Sequence, residues 1–238
     1  MASQPNREQS LTLLGICSGA VSVITEMANE VYGINTFQIV KNVDTKPSNL
    51  EYSRRDFKID EYQSDQYSFN LAESNVFFGV LDSHIKYILF HFFQEKYRID
   101  TNHYLSLKHP LSYFSKSSMH KPGFLIEPMA IVSSFCNIGF GVTVKRNSSV
   151  GHHVIIGDFV SINPGVNISG NVNIGDGATI GTGTSVVNNI KIGKYSLIGA
   201  GSVVTKDIPD GVVAYGNPCR VVRKNERWNK SFEMFPIG

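Results

Sequence analysis

Two adjacent histidines are the first candidates for chemistry. His152 and His153 are the only two of the seven histidines that fall within a regular repeated stretch of the chain. A histidine can act as a general base near neutral pH. The alternative is zinc, which takes three protein ligands at a catalytic site. No third histidine of this stretch stands at the matching position, so we expect no metal. A general base and a solvent-exposed histidine without a catalytic role both stay open at this point.

A second candidate is a glycine-bearing turn near the N-terminus. The segment GICSG, Gly15–Gly19, follows the short apolar strand Leu11–Leu14 and leads into a helical pattern. Turns of this kind present backbone N–H groups to phosphate. The fingerprint G-x-G-x-x-G is incomplete here, because Cys17 stands where its second glycine belongs. A plain structural turn is therefore the alternative to a phosphate site.

The elements that position the histidines are indicated by a repeat of six residues. From Ile126 to Val204, every sixth residue is Ile or Val, fourteen times without a break. Chance would give such a run with a probability on the order of 10⁻¹⁰, and a period of six is typical of a parallel β-helix. An α-helix would have a period of 3.6. Three hexapeptides make one triangular turn of eighteen residues, so the run predicts between four and five coils.

Two further columns support the β-helix. The residue four positions after each Ile or Val is small or aliphatic, from Ala130 to Ile208. The residue directly after the Ile or Val is often glycine, and we attribute this to a positive φ at a sharp corner. These glycines are Gly139, Gly151, Gly157, Gly175, Gly181, Gly193 and Gly199. The repeat does not give the handedness of the coil.

The first hundred residues predict a small parallel α/β unit. We expect strands at 11–14, 37–40 and 75–80 and helices at 20–31 and 85–97. Gly33 stands where a helix C-cap would. The buried stripe of the second helix is predicted to comprise Ile85, Ile88, Leu89 and Phe92. Residues 44–74 are polar and irregular, so we expect a long loop or an insertion there.

Composition excludes several classes of protein. The chain has 238 residues, of which 42% are hydrophobic and 18% charged, so it can bury a core. A net charge of +2 gives no reason to expect nucleic acid or an anionic membrane as partner. No apolar run approaches the roughly 20 residues of a membrane span. The polar first ten residues do not resemble a secretory signal. The three cysteines fit no disulfide framework. We expect a soluble cytoplasmic protein.

Several segments resemble the hexapeptide-repeat acyltransferases. They are IGDGATIGTGTSV, IGKYSLIGAGSVVTKDIP and GNPCRVVR, the last with Cys219 where the family usually has Ala. The resemblance covers residues 105–224 and implies a left-handed parallel β-helix there. Together with the N-terminal unit, the chain resembles bacterial nucleotide-sugar N-acetyltransferases. That resemblance implies a Rossmann-like domain over 1–104 that binds the nucleotide sugar, the β-helix over 105–224 and a tail over 225–238.

The resemblance also implies a set of site residues. The segment NSSVGHHVIIGD, residues 147–158, resembles the acyltransferase signature V-x-H-x-x-x-I-G-D. His152 falls on the catalytic histidine of the family, and His153 falls where a carboxylate usually orients it. The end of the second strand, where the family is usually acidic, carries Lys41 and Asn42 here. The residues expected to bind the substrate are Gly15, Ser18, Gly19, Lys41, Asn42 and Asn147.

Acyl transfer assigns further residues to the acyl donor. A sugar ammonium cannot attack a thioester, so a base must take its proton, and the oxyanion then needs an N–H donor. Gly170 follows His152 by eighteen residues and offers a backbone N–H one coil further along. Thr182 and Ala200, at a separate corner, suit a narrow pantetheine groove, and Arg220 can meet the phosphates of coenzyme A. In the resembled family this groove lies between the subunits of a trimer, so we expect a homotrimer.

These features predict an acetyl-CoA-dependent N-acetyltransferase. Its substrate would be a nucleotide-linked amino sugar of the kind used in O-antigen, capsule or protein-glycan synthesis, with direct transfer through a tetrahedral intermediate. One alternative is an O-acetyltransferase acting on sialic acid or a related sugar. A second alternative is a catalytically dead protein that only binds a nucleotide sugar, because position 153 lacks the usual carboxylate. Acetyl-CoA is the expected co-substrate.

Overall fold

The structure is a computed structural model, which describes residues 10–42, 56–71 and 75–230. An α/β unit comes first and a long coil of short strands follows it. No helix in the described part of the chain is both long and apolar enough to cross a membrane.

The α/β unit contains four strands and two helices. They are β1 (Ser10–Leu14), α1 (Ser18–Tyr32), β2 (Thr36–Lys41), β3 (Lys58–Gln63), β4 (Val76–Phe78) and α2 (Ser83–Tyr97), with 3₁₀ turns at Ser64–Gln66 and Thr101–His103. The strands are all parallel and lie in the order β3-β2-β1-β4. The three predicted strands and both helices are confirmed. The unit is therefore a four-stranded parallel sheet with one helix after β1 and one helix after β4.

The prediction of a loop over 44–74 is partly wrong. Residues 58–63 form the edge strand β3, which pairs in parallel with β2. None of its residues is fully buried, because an edge strand has a neighbour on one side only. It therefore lacks the apolar alternation by which a strand is recognised in a sequence. The stretches 44–55 and 72–74 of the predicted loop lie outside the described residues.

The two helices are positioned by their buried faces. Helix α1 ends as predicted at Gly33, whose φ of 72° is left-handed and whose N–H donates to the carbonyl of Asn29. In α2 the predicted stripe is only partly right, since Ile85 and Phe92 remain partly exposed. The buried side chains of α2 are Ser83, His84, Lys86, Ile88, Leu89, Phe90 and Phe93. This wider buried surface arises because α2 packs against both the sheet and the coil.

The coil is a three-sided parallel β-helix, as predicted, and its short strands are β5 to β21 in chain order. Face 1 contains Leu107–Lys108, Leu125–Ile126, Thr143–Val144, Ser161–Ile162, Thr179–Ile180 and Leu197–Ile198. Face 2 contains Tyr113–Phe114, Ile131–Val132, Ser149–Val150, Asn167–Ile168, Ser185–Val186 and Val203–Val204. Face 3 contains Met119–His120, Asn137–Ile138, Ile155–Ile156, Asn173–Ile174 and Lys191–Ile192. Paired residues are eighteen apart, as in Val150 and Ile168.

The core of the coil is the predicted column of Ile and Val. All fourteen residues from Ile126 to Val204 are between 0% and 3% exposed. The second column, from Ala130 to Ile208, is buried as well. Both columns line the interior because every sixth residue returns to the same position on a face. The left-handed sense of the coil stays a prediction of the resemblance.

The reason given above for the corner glycines is wrong. Left-handed backbone occurs at every sixth residue from 123 to 201, with φ between 56° and 70°. From 129 onward, each of these residues lies three positions after a buried Ile or Val. The predicted glycines lie two positions earlier and have ordinary φ. Glycine is needed at these positions because a side chain would have no room. A Cβ at Gly151 would lie 2.7 Å from the carbonyl carbon of Ser169 in the next coil. Asn147 and His153 are among the residues with left-handed φ.

The α/β unit is attached to face 1. The hydroxyl of Ser83, at the start of α2, donates to the Ser161 hydroxyl at 2.8 Å, and the Thr179 hydroxyl lies 3.2 Å from Ser83. In addition to these polar contacts, the rings of Phe78 and Phe90 pack against Phe140 of the coil. The outward side of face 1 is therefore an internal interface rather than a solvated surface.

The C-terminal part of the chain turns back onto the α/β unit. Strands β22 (Val212–Gly216) and β23 (Cys219–Lys224) form a hairpin that extends face 1, and a 3₁₀ turn covers Glu226–Lys230. The Arg227 guanidinium makes two hydrogen bonds to the Asp82 carboxylate, at 2.9 and 3.0 Å. The Trp228 ring packs 4.5 Å from the Tyr195 ring. The start of the predicted tail is thus docked on the molecule.

Candidate active site

His152 stands at the corner where face 2 turns into face 3, and its imidazole is exposed. The Nδ1 atoms of His152 and His153 are 3.1 Å apart, within hydrogen-bond distance. The His153 ring stacks on Phe135 of the preceding coil, with centroids 5.1 Å apart and an interplanar angle of 30°. The structure therefore places the predicted base at an accessible corner, in contact with one polar side chain.

Gly170 lies directly beside the His152 ring, as the eighteen-residue spacing predicts. A Cβ at position 170 would be 2.6 Å from Nε2 of His152 and 2.5 Å from Cε1. The next amide, of Asn171, donates to the His152 carbonyl at 2.9 Å. The Gly170 N–H makes no hydrogen bond within the described residues. A histidine and an open N–H donor at one corner are two groups that acyl transfer through a tetrahedral oxyanion can use.

The residues predicted to hold coenzyme A lie at two other places. Thr182 and Ala200 are stacked and exposed at the corner between faces 1 and 2, where the Thr182 carbonyl accepts the Gly201 N–H at 2.8 Å. Arg220 is exposed on β23. The width of face 2 separates the Thr182 corner from His152 within one chain. A single chain therefore does not bring these residues together.

A cavity of about 530 Å³ opens between the α/β unit and face 1. Its walls are the turn after β1, residues 16–20, the turn after β4, residues 80–85, and the face 1 side chains of Lys145, Ser161, Asn163 and Thr179. In the sheet order β3-β2-β1-β4, the direction of winding reverses between β1 and β4. Ligands of open parallel sheets bind at such a reversal, beyond the carboxyl ends of the strands.

One end of the cavity is suited to an anion. The N-terminus of α1 faces it, has no side-chain cap, and carries the positive end of the helix dipole. Lys145 donates to the Asn163 side chain at 2.8 Å. Burial lowers the pKa of Lys145, while the carboxylates of Glu127 and Asp82 act in the opposite direction. A phosphate group would find both a lysine and free helix amides here.

The predicted substrate residues are only partly brought together. Gly19 lines the cavity. Gly15 has a left-handed φ of 78° and packs under Leu89, and Ser18 begins α1. Lys41 is paired with Glu61 of β3 at 3.0 Å. Lys41, Asn42 and the exposed corner residue Asn147 do not line the cavity. Their role in substrate binding stays a prediction.

The sequence interpretation missed the coil side of the cavity. Lys145 and Asn163 follow the outward-facing residues Thr143 and Ser161 of face 1. Outward polar residues on a β-helix suggest solvent, so they gave no sign of a site. One signal was available: the outward residues of successive face 1 strands are Thr143, Ser161 and Thr179, all small and polar. Such a column favours close packing against another element.

Lys86 is a buried cation beside this site. Its side chain is 1% exposed, and Nζ donates to the Gly141 carbonyl at 2.5 Å and the Thr143 hydroxyl at 2.9 Å. Burial, together with the nearby charge of Lys145, lowers the pKa of Lys86 to about 7. Asp82 opposes both effects. The ammonium thus ties α2 to the coil at a cost in desolvation.

The described residues contain no cluster of three or more His, Cys, Asp or Glu side chains that could hold a metal ion.

Comparison with known proteins gives a consistent class of fold. The bacterial transferase hexapeptide family, a model of six repeats, matches residues 171–206. No curated protein matches the chain.

Solved structures match nearly the whole chain. The acetyltransferase domain of PglB from Neisseria gonorrhoeae FA1090, in complex with acetyl coenzyme A, is 24% identical with a TM-score of 0.76, and the match covers 92% of this chain and 100% of that one. A mutant of perosamine N-acetyltransferase from Caulobacter crescentus, in complex with CoA and GDP-perosamine, is 22% identical with a TM-score of 0.73, over 90% and 97% of the two chains. WeeI from Acinetobacter baumannii AYE is 23% identical with a TM-score of 0.70, over 90% and 98%. The chain has the fold of these proteins, including the α/β unit.

Proposed function

We propose that the protein transfers an acetyl group from acetyl-CoA to the amino group of a nucleotide-linked amino sugar. One observation carries the proposal: the His152 imidazole lies over the Gly170 peptide, whose N–H has no partner among the described residues. A base and an oxyanion donor are thus adjacent at an open corner. The complexes of similar fold, with acetyl coenzyme A and with CoA and GDP-perosamine, support this substrate pair.

In the proposed reaction, Nε2 of His152 takes a proton from the sugar amine as its nitrogen attacks the thioester carbon. The new N–C bond gives a tetrahedral intermediate, and the Gly170 N–H donates to its oxyanion. The C–S bond then breaks and the thiolate of coenzyme A leaves, taking up the proton from His152. Holding both substrates at the corner supplies the proximity that a bimolecular acyl transfer lacks in solution.

The α/β unit would hold the nucleotide. Its strand order, β3-β2-β1-β4, is that of the first strands of a Rossmann-like fold, and the cavity lies at the reversal between β1 and β4. The diphosphate would meet the N-terminus of α1 and the Lys145 ammonium. The volume of about 530 Å³ is within the range of small-molecule sites.

A homotrimer would complete the donor site. Outward apolar residues lie on faces 2 and 3 of the first coils, to either side of the His152 corner: Tyr113, Met119, Ile131 and Ile155, each between 46% and 67% exposed. These outward residues could be buried between copies, and a head-to-tail contact between two different surfaces closes into a ring. We place the Thr182 and Ala200 corner of one chain beside His152 of its neighbour in that ring, with Arg220 near the phosphates of coenzyme A.

The experiment is a thiol-release assay with acetyl-CoA and a panel of acceptors, using the full chain and the His152→Asn variant as control. We expect coenzyme A release with nucleotide-linked amino sugars, and much less with matched sugars that carry a hydroxyl in place of the amine. Preference for a hydroxyl acceptor would instead establish an O-acetyltransferase. Thermal stabilisation by a nucleotide sugar without any thiol release would establish a binding protein.

A further inference from the structure

We propose that His153 is the positioning residue of His152, acting through a neutral imidazole. In this arrangement Nδ1 of His153 accepts the Nδ1–H of His152 and fixes its tautomer. The inference rests on the proposed function, because it concerns the base of that reaction. A catalytic histidine is commonly oriented by a charged hydrogen-bond acceptor. Here the acceptor is an uncharged imidazole ring.

The hydrogen bond between the two rings is the first observation. The Nδ1 atoms are 3.1 Å apart, and the ring planes are 84° to each other. Two imidazoles can share one proton only if one nitrogen donates and the other accepts. For Nε2 of His152 to act as base, its Nδ1 must carry the proton, so His153 must be the acceptor.

The second observation is that His153 is itself held in place. Its backbone has a left-handed φ of 56°, and its N–H donates to the Ser134 carbonyl at 2.9 Å. Its ring stacks on Phe135, which is 61% exposed in the chain. A side chain held from its backbone and from one ring face can direct its nitrogen toward a neighbour.

The neighbouring turns bring no charge close to the pair. The turn above, Ser133–Phe135, and the turn below, Ser169–Asn171, contribute no titratable side chain. Charged residues of the same corner lie further off: Lys116 is two coils away, and Lys206 and Asp207 are three coils away, roughly 10 and 14 Å at about 4.8 Å per coil. The orientation of His152 therefore rests on His153 rather than on a nearby carboxylate.

The decisive experiment compares kcat, KM and the pH profile of His153→Gly, His153→Glu and Asn171→Gly. Glycine suits the left-handed backbone at both positions, so neither glycine variant should fail to fold. Asn171 is the matched control, because it occupies the same position one coil further along, also with a left-handed φ.

We expect His153→Gly to lower kcat about 10- to 100-fold with little change in KM, as is usual when the partner of a functional histidine is lost. Asn171→Gly should stay within twofold of the wild type. The glutamate variant should recover much of the activity and move the acidic limb of kcat/KM to higher pH, because a carboxylate stabilises the protonated base.

An unchanged kcat and pH profile in His153→Gly would overturn the positioning role, even if His152→Asn is inactive. If His152→Asn is itself fully active, the proposed base is wrong and this inference falls with it. Phe135→Ala is a second test of the proposal. Because it removes the ring on which His153 stacks, it should lower kcat, as His153→Gly does. A wild-type kcat in both variants would contradict the proposal.

Discussion

The imidazole of His152 occupies the space that a side chain at Gly170 would need. A Cβ at position 170 would lie 2.6 Å from Nε2, well inside van der Waals contact. The glycine is therefore required for this placement of the imidazole. The sequence interpretation predicted a different task for it, access of a thioester to the backbone N–H. Under the proposed function, both tasks fall on one residue.

Gly170→Ala should lower kcat about 10- to 100-fold while the chain remains folded. The backbone at Gly170 is not left-handed, so alanine introduces no strain there, and the loss comes from displacement of the His152 ring. Steady-state kinetics with saturating acetyl-CoA, together with the melting temperature, would check this. A wild-type kcat would mean that the ring adopts another position during catalysis.

His152→Asn should lower kcat by about 10²–10⁴-fold with little change in KM for either substrate. The deficit should shrink at high pH, where the sugar amine is increasingly neutral without help. The pH profile of both proteins would measure this. Greater sensitivity of His153 than of His152 would contradict the assignment of the base.

Lys145→Met should weaken binding of a nucleotide diphosphate sugar about tenfold, because a charge-assisted contact to phosphate is lost. The effect should be larger at low salt. Titration calorimetry would give the dissociation constants. Lys191→Met, an exposed lysine on face 3, is the matched control. Equal losses in the two variants would indicate a general effect of charge rather than a contact in the cavity.

Lys86 should make stability depend on pH above neutrality. Its pKa is about 7 in the fold and would be about 10.4 in the unfolded chain. Between these values the unfolded state binds more protons, so the free energy of unfolding should rise with pH. Lys86→Met should flatten this rise. Chemical denaturation at pH 7, 8 and 9 would test it, with the exposed Lys96→Met of the same helix as control. Equal slopes in wild type and Lys86→Met would refute the prediction.

Assembly gives a further test. We expect light scattering to report three times the mass of the chain. Ile131→Asp should reduce that mass, because it places a charge in the proposed contact between copies. Activity should fall together with the trimer, since the donor corner comes from a neighbouring copy. Full activity in a monomer would exclude a site shared between subunits.

The coil could be predicted from the sequence because one column of residues defines it. A six-residue period fixes which side chains enter the core, and three periods fix which corner residues stack. The neighbours His152 and Gly170 follow directly from that spacing. The contact of the His153 ring with His152 does not follow from the spacing. The direction of that ring depends on a left-handed backbone, which the sequence indicates only through the place of His153 in the repeat.

The cavity and strand β3 could not be predicted from the sequence, for a different reason. Lys145 and Asn163 look like solvated surface residues until the α/β unit covers face 1. Strand β3 is polar because it lies at an edge, so its residues carry no alternation. Lys41 was predicted to bind the substrate because it ends β2, but its ammonium forms an ion pair with Glu61 on that same edge strand. Each of these depends on contacts between distant segments.

The docking of the α/β unit on successive coils restricts how such a protein can change its length. The cavity residue Lys145 and the proposed base His152 belong to the same eighteen-residue turn. Adding or removing a whole turn elsewhere in the stack would leave their relationship intact. An insertion of six or twelve residues between them would instead carry the base to another corner. Divergence among proteins of this design should therefore occur in whole turns at the ends of the stack, while the turn that contains the chemistry keeps its length.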